Sequence, residues 1–459
     1  MPNKSIFLLW LIALFSIGAL PATGMAVTTN QVNSLPASVY ALERIDPKNG
    51  LDDNDLVPVD SIIGSAHFVA LGEAMHTSGG FHDIRFRIIR HLIRDKGFRV
   101  FALESNRLMS EPLIDFIDSC KSSSEIDQKQ LHGALDSIYP VFASETMKDM
   151  VTWICQYNSQ NPSDTVSFTG FDIQETSRLS EAISRALKVT QNEFLLTGPL
   201  KDIQRCAMEN RPEEVTLQSE QSCSAKISTI LQFISKPNEL DLFRNDLELL
   251  RLNLRSLRAR IHLNYLNTLG KARLPEAYQV RDQAMADQLL TLKSIAWQNR
   301  RVIIWAHNAH IEKEGLMDSF PSGSPFAGFK NLGQYLSEAL EIDYKAIGLL
   351  AFQEEVNWEG ASAICNIAHT YPNASSAEYH LRLLDSPYLI VDTSAMRQNR
   401  LGFFDSAAEY EYSQGSKGNL VRQFDGLIYL QNSQAMIPIS SPACPIVPDW
   451  PKPNVGGTL

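Results

Sequence analysis

Short apolar runs that end in an ionisable residue recur along the sequence. Runs of roughly four to eight apolar residues between glycines and charged residues are typical of strands buried in a parallel sheet. Ligands of such sheets bind beyond the carboxyl ends of the strands. The pattern therefore predicts an α/β fold, with a mostly parallel or mixed central sheet flanked by helices and a site at one sheet edge. The runs and the residues that follow them are 67–71 with Glu73 and His76, 98–103 with Glu104, 166–171 with Asp172, and 302–305 with His307 and His310.

The segment between the first two runs has helical periodicity. Apolar residues recur at spacings of three and four over 81–96, which predicts a helix with one buried face. Gly97 is expected to end this helix, because glycine adopts the left-handed conformation that closes helices. Strand, helix and strand in this order form a βαβ unit. We therefore expect runs 67–71 and 98–103 to be parallel neighbours.

The rest of the chain divides into a helical middle and a C-terminal part with further strands. Between about 176 and 295 the sequence is charge-rich, with an apolar helical face from Leu247 to Leu257, and we interpret it as a helical insertion that caps the sheet. Residues 27–60 indicate a short helical lead-in, and the tail after about 433 indicates irregular structure. Apolar runs predict later strands at 345–352, 388–391 and 427–430.

The N-terminus has the parts of a secretory signal peptide. Lys4 supplies a positive charge, and 6–20 is uncharged and apolar. Gly24 and Ala26 are the small residues that signal peptidase needs. A cut after Gly24 competes with one after Ala26. An uncleaved anchor is the alternative, although the run is short for a spanning helix of about 20 residues. We expect residues 1–26 to be removed.

Composition restricts the compartment and the partners. The net charge of −11 argues against nucleic acid and anionic lipid as partners. We expect 27–459 to form one hydrolytic domain that is periplasmic or secreted and has no membrane partner. Six cysteines permit up to three disulfides, with Cys206 and Cys223 as the predicted pair and six reduced thiols as the alternative. No Cys-x-x-Cys occurs, which excludes a zinc ribbon.

The loop after the first apolar run carries the sharpest chemical signal. Glu73 lies three residues before His76, and Arg85 follows nine residues later. A neutral histidine can take a proton near pH ~7. A neighbouring carboxylate can fix its tautomer and stabilise the imidazolium that forms. Arg85 can hold a carboxylate in place or face a developing oxyanion. This spacing predicts His76 as a base.

Several other mechanisms lack their motifs. The sequence contains no Gly-x-Ser-x-Gly, so a serine nucleophile elbow is not available. It contains neither Gly-x-Gly-x-x-Gly nor a P-loop, so dinucleotide and phosphoryl chemistry lose support. A general base that acts on water remains, and it requires no cofactor. A metal ion could do the same work.

Two alternative functions stay open. His307 and His310, together with the first loop, supply enough ligands for a zinc hydrolase, although residues three apart on an extended segment point to opposite sides. A protein that binds haem or another ligand without turnover could contact it through Met75 and Met285. The pairing of Glu73 with a histidine favours a catalyst, because a binding protein does not need such a pair at the mouth of a crevice.

The motifs, taken in order, have a recognisable pattern. They are 71–76 (LGEAMH), 96–104 (KGFRVFALE), 170–174 (GFDIQ), 281–286 (RDQAMA), 305–310 (WAHNAH), 332–336 (LGQYL), 344–348 (YKAIG) and 424–428 (FDGLI). This series resembles the erythromycin esterase family over roughly residues 60–430. Each motif alone is weak, but the ordered set is specific for the family.

The resemblance implies an α/β core with a helical excursion and the hydrolysis of an ester or lactone without a required metal. The best-known members open the macrolactone of erythromycin-like antibiotics. The expected catalytic residues are His76 as the water-activating base, with Glu73, Arg85 and Glu104 in support, and the expected substrate-binding residues are His307, His310, Asp172 and Met75.

The first loop departs from the usual family pattern Gly-Glu-x-Thr-His-Gly-x-x-Glu-Phe. Met75 stands in place of the threonine, Thr77 in place of the second glycine, and Gly80 in place of the second glutamate. Ala309 also replaces a usual glycine. These differences alter the expected lining of the pocket, so the resemblance does not identify the substrate. We expect a small-molecule ester or lactone, and a macrolide is one candidate.

Overall fold

A mostly parallel sheet forms the centre of the molecule in a computed structural model of the chain. The strands, all of which except β9 and β10 belong to this sheet, are β1 (Val39–Ala41), β2 (Phe68–Leu71), β3 (Phe98–Asn106), β4 (Ser167–Asp172), β5 (Arg301–Trp305), β6 (Tyr344–Gly360), β7 (Ala363–Thr370), β8 (Tyr388–Val391), β9 (Tyr410–Glu411), β10 (Lys417–Gly418) and β11 (Gly426–Ser433). The order in the sheet is β1-β8-β11-β6-β2-β5-β3-β4, with β7 paired to β6. Strands β9 and β10 pair separately.

Helices cover both faces of this sheet. They are α1 (Val57–Ile63), α2 (Gly79–Lys96), α3 (Glu111–Ser119), α4 (Gln128–Leu135), α5 (Glu145–Gln160), α6 (Leu179–Val189), α7 (Pro199–Glu209), α8 (Leu217–Ile234), α9 (Arg244–Thr268), α10 (Leu274–Ile295), α11 (Asn308–Ile311), α12 (Leu332–Leu340), α13 (Ala377–Arg382), α14 (Thr393–Asn399) and α15 (Leu420–Gln423). The structure describes residues 35–47, 52–122, 125–174, 178–189, 198–210, 214–235, 244–270, 273–314, 329–360, 363–370, 376–399, 410–411 and 417–439.

Each face of the sheet has its own apolar core. Successive side chains of a strand point to opposite faces, so Val69 and Leu71 join one core while Phe68 and Ala70 join the other. The first core includes residues of α1 to α5, and the second includes residues of α10 to α15. The central strands are covered on both sides, which explains why their sequences are unbroken apolar runs.

The predicted α/β class with a mostly parallel sheet is confirmed, but one predicted pairing is wrong. Strands β2 and β3 are parallel, yet they are not neighbours, because β5 lies between them. Ile303 of β5 is paired with Val69 on one side and with Phe101 on the other. The crossover through α2 therefore leaves a gap of one strand between β2 and β3. Strand β5, which follows the helical stretch in the sequence, occupies this gap. This insertion brings the end of β5 between the ends of β2 and β3.

Two local expectations also change. The expected helical lead-in is wrong at Val39–Ala41, which forms β1 and pairs antiparallel with the edge strand β8, and the first α-helix begins only at Val57. Strand β6 continues to Gly360, well past the expected end of the 345–352 run, because β7 pairs with its second half.

Helices α6 to α10 occupy the stretch in which the sequence indicates a helical insertion. Residues of α6 to α9 form a third apolar core, separate from the two on the sheet. The predicted disulfide Cys206–Cys223 joins α7 to α8, and Cys120–Cys155 joins the end of α3 to α5. The expected signal peptide lies outside the described residues. Within the described part of the chain, no helix has the length and apolar character that crossing a membrane requires.

Gly97 supports the turn between α2, which carries Arg85, and β3, which carries Glu104. It ends α2 with a φ of 71°, a left-handed conformation that strains any residue with a Cβ. We expect Gly97→Ala to lower the free energy of unfolding by about 1 kcal/mol. Gly133→Ala, inside α4 with open space around the added Cβ, should raise it by roughly 0.5–1 kcal/mol. Urea unfolding of both variants checks this, and an equal effect of the two would contradict it.

Candidate active site

A buried carboxylate lies at the centre of the site. Glu73 follows β2 directly, and its side chain is fully buried. One oxygen, Oε1, lies 2.6 Å from Nδ1 of His76. The other, Oε2, accepts hydrogen bonds from Nη2 of Arg85 and, at 3.3 Å, from the indole nitrogen of Trp305. Both oxygens of Glu73 are therefore held by side chains from α2, β5 and the first loop.

Electrostatics keep Glu73 ionised despite its burial. Burial alone would raise its pKa, but the charge of Arg85 and the hydrogen bond with His76 outweigh that and lower the pKa to about 2. Arg85 is itself fully buried, and its guanidinium carbon lies 3.8 Å from the centre of the Trp305 ring. The arginine therefore holds a carboxylate, the first of the two roles that its position in the sequence suggests.

His76 lies at the accessible side of this group. Its side chain is 24% exposed, whereas that of Glu73 is 0% exposed. Because the ionised Glu73 only accepts hydrogen bonds, Nδ1 of His76 carries the proton in that contact. In the neutral ring this leaves Nε2 as the basic nitrogen. The edge of the ring contacts Phe142 at a centroid distance of 5.3 Å, and His307 lies at 5.2 Å.

A second group of charges joins the ends of β3 and β4. Glu104 is the seventh residue of β3 and Asp172 is the last residue of β4. Arg281, from α10, donates to Oε1 of Glu104 at 2.7 Å and to both oxygens of Asp172, at 2.9 and 3.1 Å. All three side chains are buried. Arg281 thus bridges two carboxylates and offsets their mutual repulsion.

The two histidines after β5 belong to a short helix and not to an extended segment. His307 caps α11, accepting a bond from the amide of Ala309 at Nδ1, while its Nε2 donates to the carbonyl of Ala74 at 2.8 Å. Its own amide donates to Glu104 at 2.8 Å. The ring of His307 is therefore a fixed neutral tautomer, and His307 links the first loop, through its ring, to β3, through its backbone amide.

His310 is held between two carboxylates. Its Nδ1 lies 2.7 Å from Asp282, and its Nε2 lies 3.2 Å from Glu104. Burial alone would lower its pKa, but Asp282 and Glu104 outweigh burial and the nearby Arg281, so the pKa rises to about 10. Burial and the neighbouring His76 lower the pKa of His307 to about 4. One histidine of the pair is thus charged near pH ~7 and the other neutral.

Close backbone packing sets the shape of the first loop. A Cβ on Gly72 would lie 1.9 Å from Oδ1 of Asn308, so only glycine allows α11 to approach this closely. At the other end of the loop, the amide of Gly80 donates to Oγ of Ser433 at 2.9 Å. A Cβ at Gly80 would lie 2.6 Å from the same oxygen. The end of β11 thus fills the space beside Gly80, the position at which the family pattern has a glutamate.

The structure brings the expected site residues together at one sheet edge. Met75 belongs to the first loop and is partly exposed. Arg281 and Asp282 belong to one of the motifs of the family resemblance, but the sequence assigns no role in the site to them, nor to Trp305, Phe142 and His82. Arg281 and Asp282 lie within a helical pattern, where charged residues are usually solvated. Their burial follows from contacts that form only in the fold, of Arg281 with Asp172 and of Asp282 with His310, so no local signal in the sequence identifies them.

The arrangement does not suit a metal bound by the two histidines of α11. Both ring nitrogens of His307 and of His310 have protein partners. Across the residues that the structure describes, no three His, Cys, Asp or Glu side chains are grouped as metal ligands would be. What the described geometry offers is a histidine with a carboxylate behind it, at the carboxyl edge of a mostly parallel sheet.

Comparison with known proteins identifies the class to which this α/β protein belongs. The erythromycin esterase family profile matches residues 93–433, which include Glu104, Arg281 and His310. The chain therefore belongs to the erythromycin esterase family, and it is a hydrolase. The matched range begins after the His76 loop.

Individual relatives are distant. "Erythromycin esterase type II" of Escherichia coli is 24% identical over 72% of this chain and 82% of its own length. "Putative hydrolase YbfO" of Bacillus subtilis is 23% identical over 83% of this chain and 86% of its own. A crystallised variant of the erythromycin esterase EreC, in its open conformation, has a TM-score of 0.64 at 17% identity, covering 86% of this chain and 98% of that one. The last comparison shows a shared fold.

The raised pKa of His310 predicts a pH-dependent stability. A group whose pKa folding raises, here from 6.5 to about 10, contributes stability that is complete below pH ~6.5 and is lost as the pH rises towards ~10. The free energy of unfolding of the wild type should therefore fall over this range, relative to that of His310→Gln, by at most ~1.4 kcal/mol per pH unit. Urea unfolding at several pH values measures the difference.

A direct titration provides an independent check. The imidazole resonances of His310, labelled with 15N and assigned by their loss in His310→Gln, should remain those of an imidazolium from pH ~6 to ~8. Resonances that shift with a midpoint near pH ~6.5 would contradict the assignment.

Proposed function

We propose that the protein hydrolyses a carboxylic ester or lactone with water that His76 activates. The observation that carries the proposal is the 2.6 Å contact between the buried Glu73 carboxylate and Nδ1 of a partly exposed histidine. This contact directs the basic nitrogen away from the carboxylate and stabilises the imidazolium that forms when the ring takes a proton. No metal is required for this step.

The reaction has two proton transfers through the same nitrogen. Nε2 of His76 takes a proton from water as its oxygen adds to the carbonyl carbon. The tetrahedral intermediate then collapses, the bond to the leaving oxygen breaks, and the imidazolium returns the proton to that oxygen. An acid and an alcohol leave, and in a lactone they remain in one opened ring.

The surrounding charges favour the anionic intermediate. Arg85 keeps Glu73 ionised, so the negative charge needed beside the imidazolium persists through the cycle. Arg281 and the charged His310 offset part of the negative charge of Glu104, Asp172 and Asp282, which reduces the field of these acids against the developing oxyanion. Glu104 also holds the backbone of His307, beside the His76 ring. We propose His307, His310, Asp172 and Met75 as the residues that line the substrate pocket.

The site and the sequence support export and a substrate of moderate size. The signal-peptide features of residues 1–26 and two disulfides among the described residues agree with a periplasmic or secreted protein. Helices α6 to α10 follow Asp172 in the chain, and we propose that they cap the crevice and limit substrate size. Macrolides remain one candidate among esters and lactones, since the Escherichia coli relative is named an erythromycin esterase.

The activity test uses mass spectrometry of the purified mature protein incubated with erythromycin and a panel of esters and lactones. We expect a gain of one water on at least one of them. His76→Ala should lower kcat by about 100-fold or more, because general-base catalysis contributes roughly 10²–10⁴-fold. His132→Ala, an exposed histidine in α4, serves as the matched control, and dialysis against EDTA should leave turnover unchanged.

Two results would overturn this proposal. Turnover of a folded His76→Ala variant within about tenfold of wild type would exclude His76 as the base. Activity that EDTA removes and zinc restores would replace the metal-independent mechanism with the zinc alternative.

Export can be tested on the chain itself. Expressed with its N-terminus intact in a Gram-negative host, the protein should appear in the periplasmic fraction with a mass that begins at Val27. A mass that begins at Met25 would identify the competing cut. Full-length protein retained in the membrane fraction would mean that the segment is an uncleaved anchor.

A further inference from the structure

A second histidine, which the mechanism above does not use, contacts the backbone of the proposed base. His82 lies on the first turn of α2 and is fully buried. Its Nε2 lies 2.8 Å from the carbonyl oxygen of His76, and its Nδ1 lies 2.8 Å from Oγ of Ser144. The ring therefore connects the first loop to the segment before α5.

The partners of His82 fix the proton on one nitrogen. A carbonyl oxygen only accepts, so Nε2 donates to His76, and Nδ1 accepts from the hydroxyl of Ser144. The same hydroxyl oxygen accepts from the amide of Met147 at 3.0 Å, as the cap of α5. Burial and the nearby Arg85 lower the pKa of His82 to about 4. This chain of hydrogen bonds therefore keeps one direction across the pH range of ordinary assays.

The same segment also touches the His76 side chain. Two residues before Ser144, Phe142 packs edge-on against the His76 ring at 5.3 Å, and Trp305 packs against His82 at 5.0 Å. The segment that holds Phe142 and Ser144 therefore contacts His76 in two ways: Phe142 packs against its ring, and Ser144 is linked to its backbone carbonyl through His82. Glu73 holds its ring, and His82 holds its backbone.

We propose that His82 is a positioning residue for His76: it fixes the carbonyl of His76, and with it the angle at which the ring meets Glu73. This inference rests on the proposed role of His76 as the base. If this bond is lost, the peptide group that carries the His76 carbonyl can turn, and the ring can leave the Glu73 oxygen. A displacement of about 1 Å at a catalytic group can cost on the order of 100-fold in rate.

Two variants of His82 distinguish the effect of its hydrogen bonds from the effect of its size. His82→Gln can still donate to the His76 carbonyl and accept from Ser144, whereas His82→Leu fills similar space without either bond. We expect His82→Leu to lower kcat by about tenfold or more with KM changed less than about threefold, and His82→Gln to restore most of the loss. Ser144→Ala combined with His82→Leu should cost no more than His82→Leu alone, because the two residues act through one chain of bonds.

A matched control lies on the same helix. His91 is also buried in α2, and its two ring nitrogens bond to Asp95 at 2.9 Å and to Asp60 at 2.8 Å, away from His76. His91→Gln should lower the melting temperature without changing kcat. If His82→Leu changed kcat no more than His91→Gln did at equal loss of stability, the positioning role would be excluded.

A measurement that needs no turnover distinguishes this inference from the proposed function. In protein with 15N-labelled histidine, the His76 signals are those lost in His76→Gln. At a pH where the ring is neutral, we expect wild type to show the Nδ1–H tautomer and His82→Leu to show a mixture of tautomers. If wild type hydrolyses nothing but this change occurs, the ester chemistry fails and the positioning stands. An unchanged tautomer in folded His82→Leu would overturn the positioning role.

Discussion

The ionised carboxylate of Glu73, held without contact with solvent, is the interaction on which the site depends. A buried charge is costly unless it is paired and hydrogen-bonded, and here Arg85, His76 and Trp305 supply those partners from three different elements. Each partner is in turn constrained. Trp305 lies at the end of β5, whose insertion between β2 and β3 brings the indole under the loop. A movement of β5 would therefore remove a hydrogen bond that stabilises the buried charge of Glu73.

Charge balance extends from this carboxylate across the ends of the strands. Glu104 lies near the end of β3 and Asp172 ends β4, and a single arginine from α10 joins them. The helix that carries Arg281 therefore has an electrostatic attachment to the sheet as well as an apolar one. His310, charged between Asp282 and Glu104, connects the same helix to α11. These ion pairs thus join three separate parts of the chain: the ends of β3 and β4, α10 and α11.

The sequence predicted the class of fold and most of the site because the end of a buried strand is recognisable in the sequence. An apolar run that stops at Glu104 or Asp172 identifies both a buried strand and the side of the sheet where chemistry gathers. The position of β5 was not predictable in this way, because local patterns do not say which strands become neighbours across some two hundred residues. Arg281 was missed for a related reason, because it lies in a helical pattern and its partners are distant in the chain. His82 also lies in a helical pattern, and its contacts with His76 and with the distant Ser144 form only in the fold.

The close fit of Gly79 and Gly80 against Ser433, Gln434 and Ala435 has a consequence for how the protein is made. The amide of Gly79 donates to the carbonyl of Gln434 at 2.7 Å, and that of Met436 donates to the carbonyl of Thr77 at 2.9 Å. A nascent chain carries His76 early in synthesis. It lacks the backbone against which this loop folds until residues 434–436 have been translated. The residues of the site are thus present early, whereas their arrangement is among the last features to form. Translation order itself keeps an incomplete chain from presenting a finished catalytic centre.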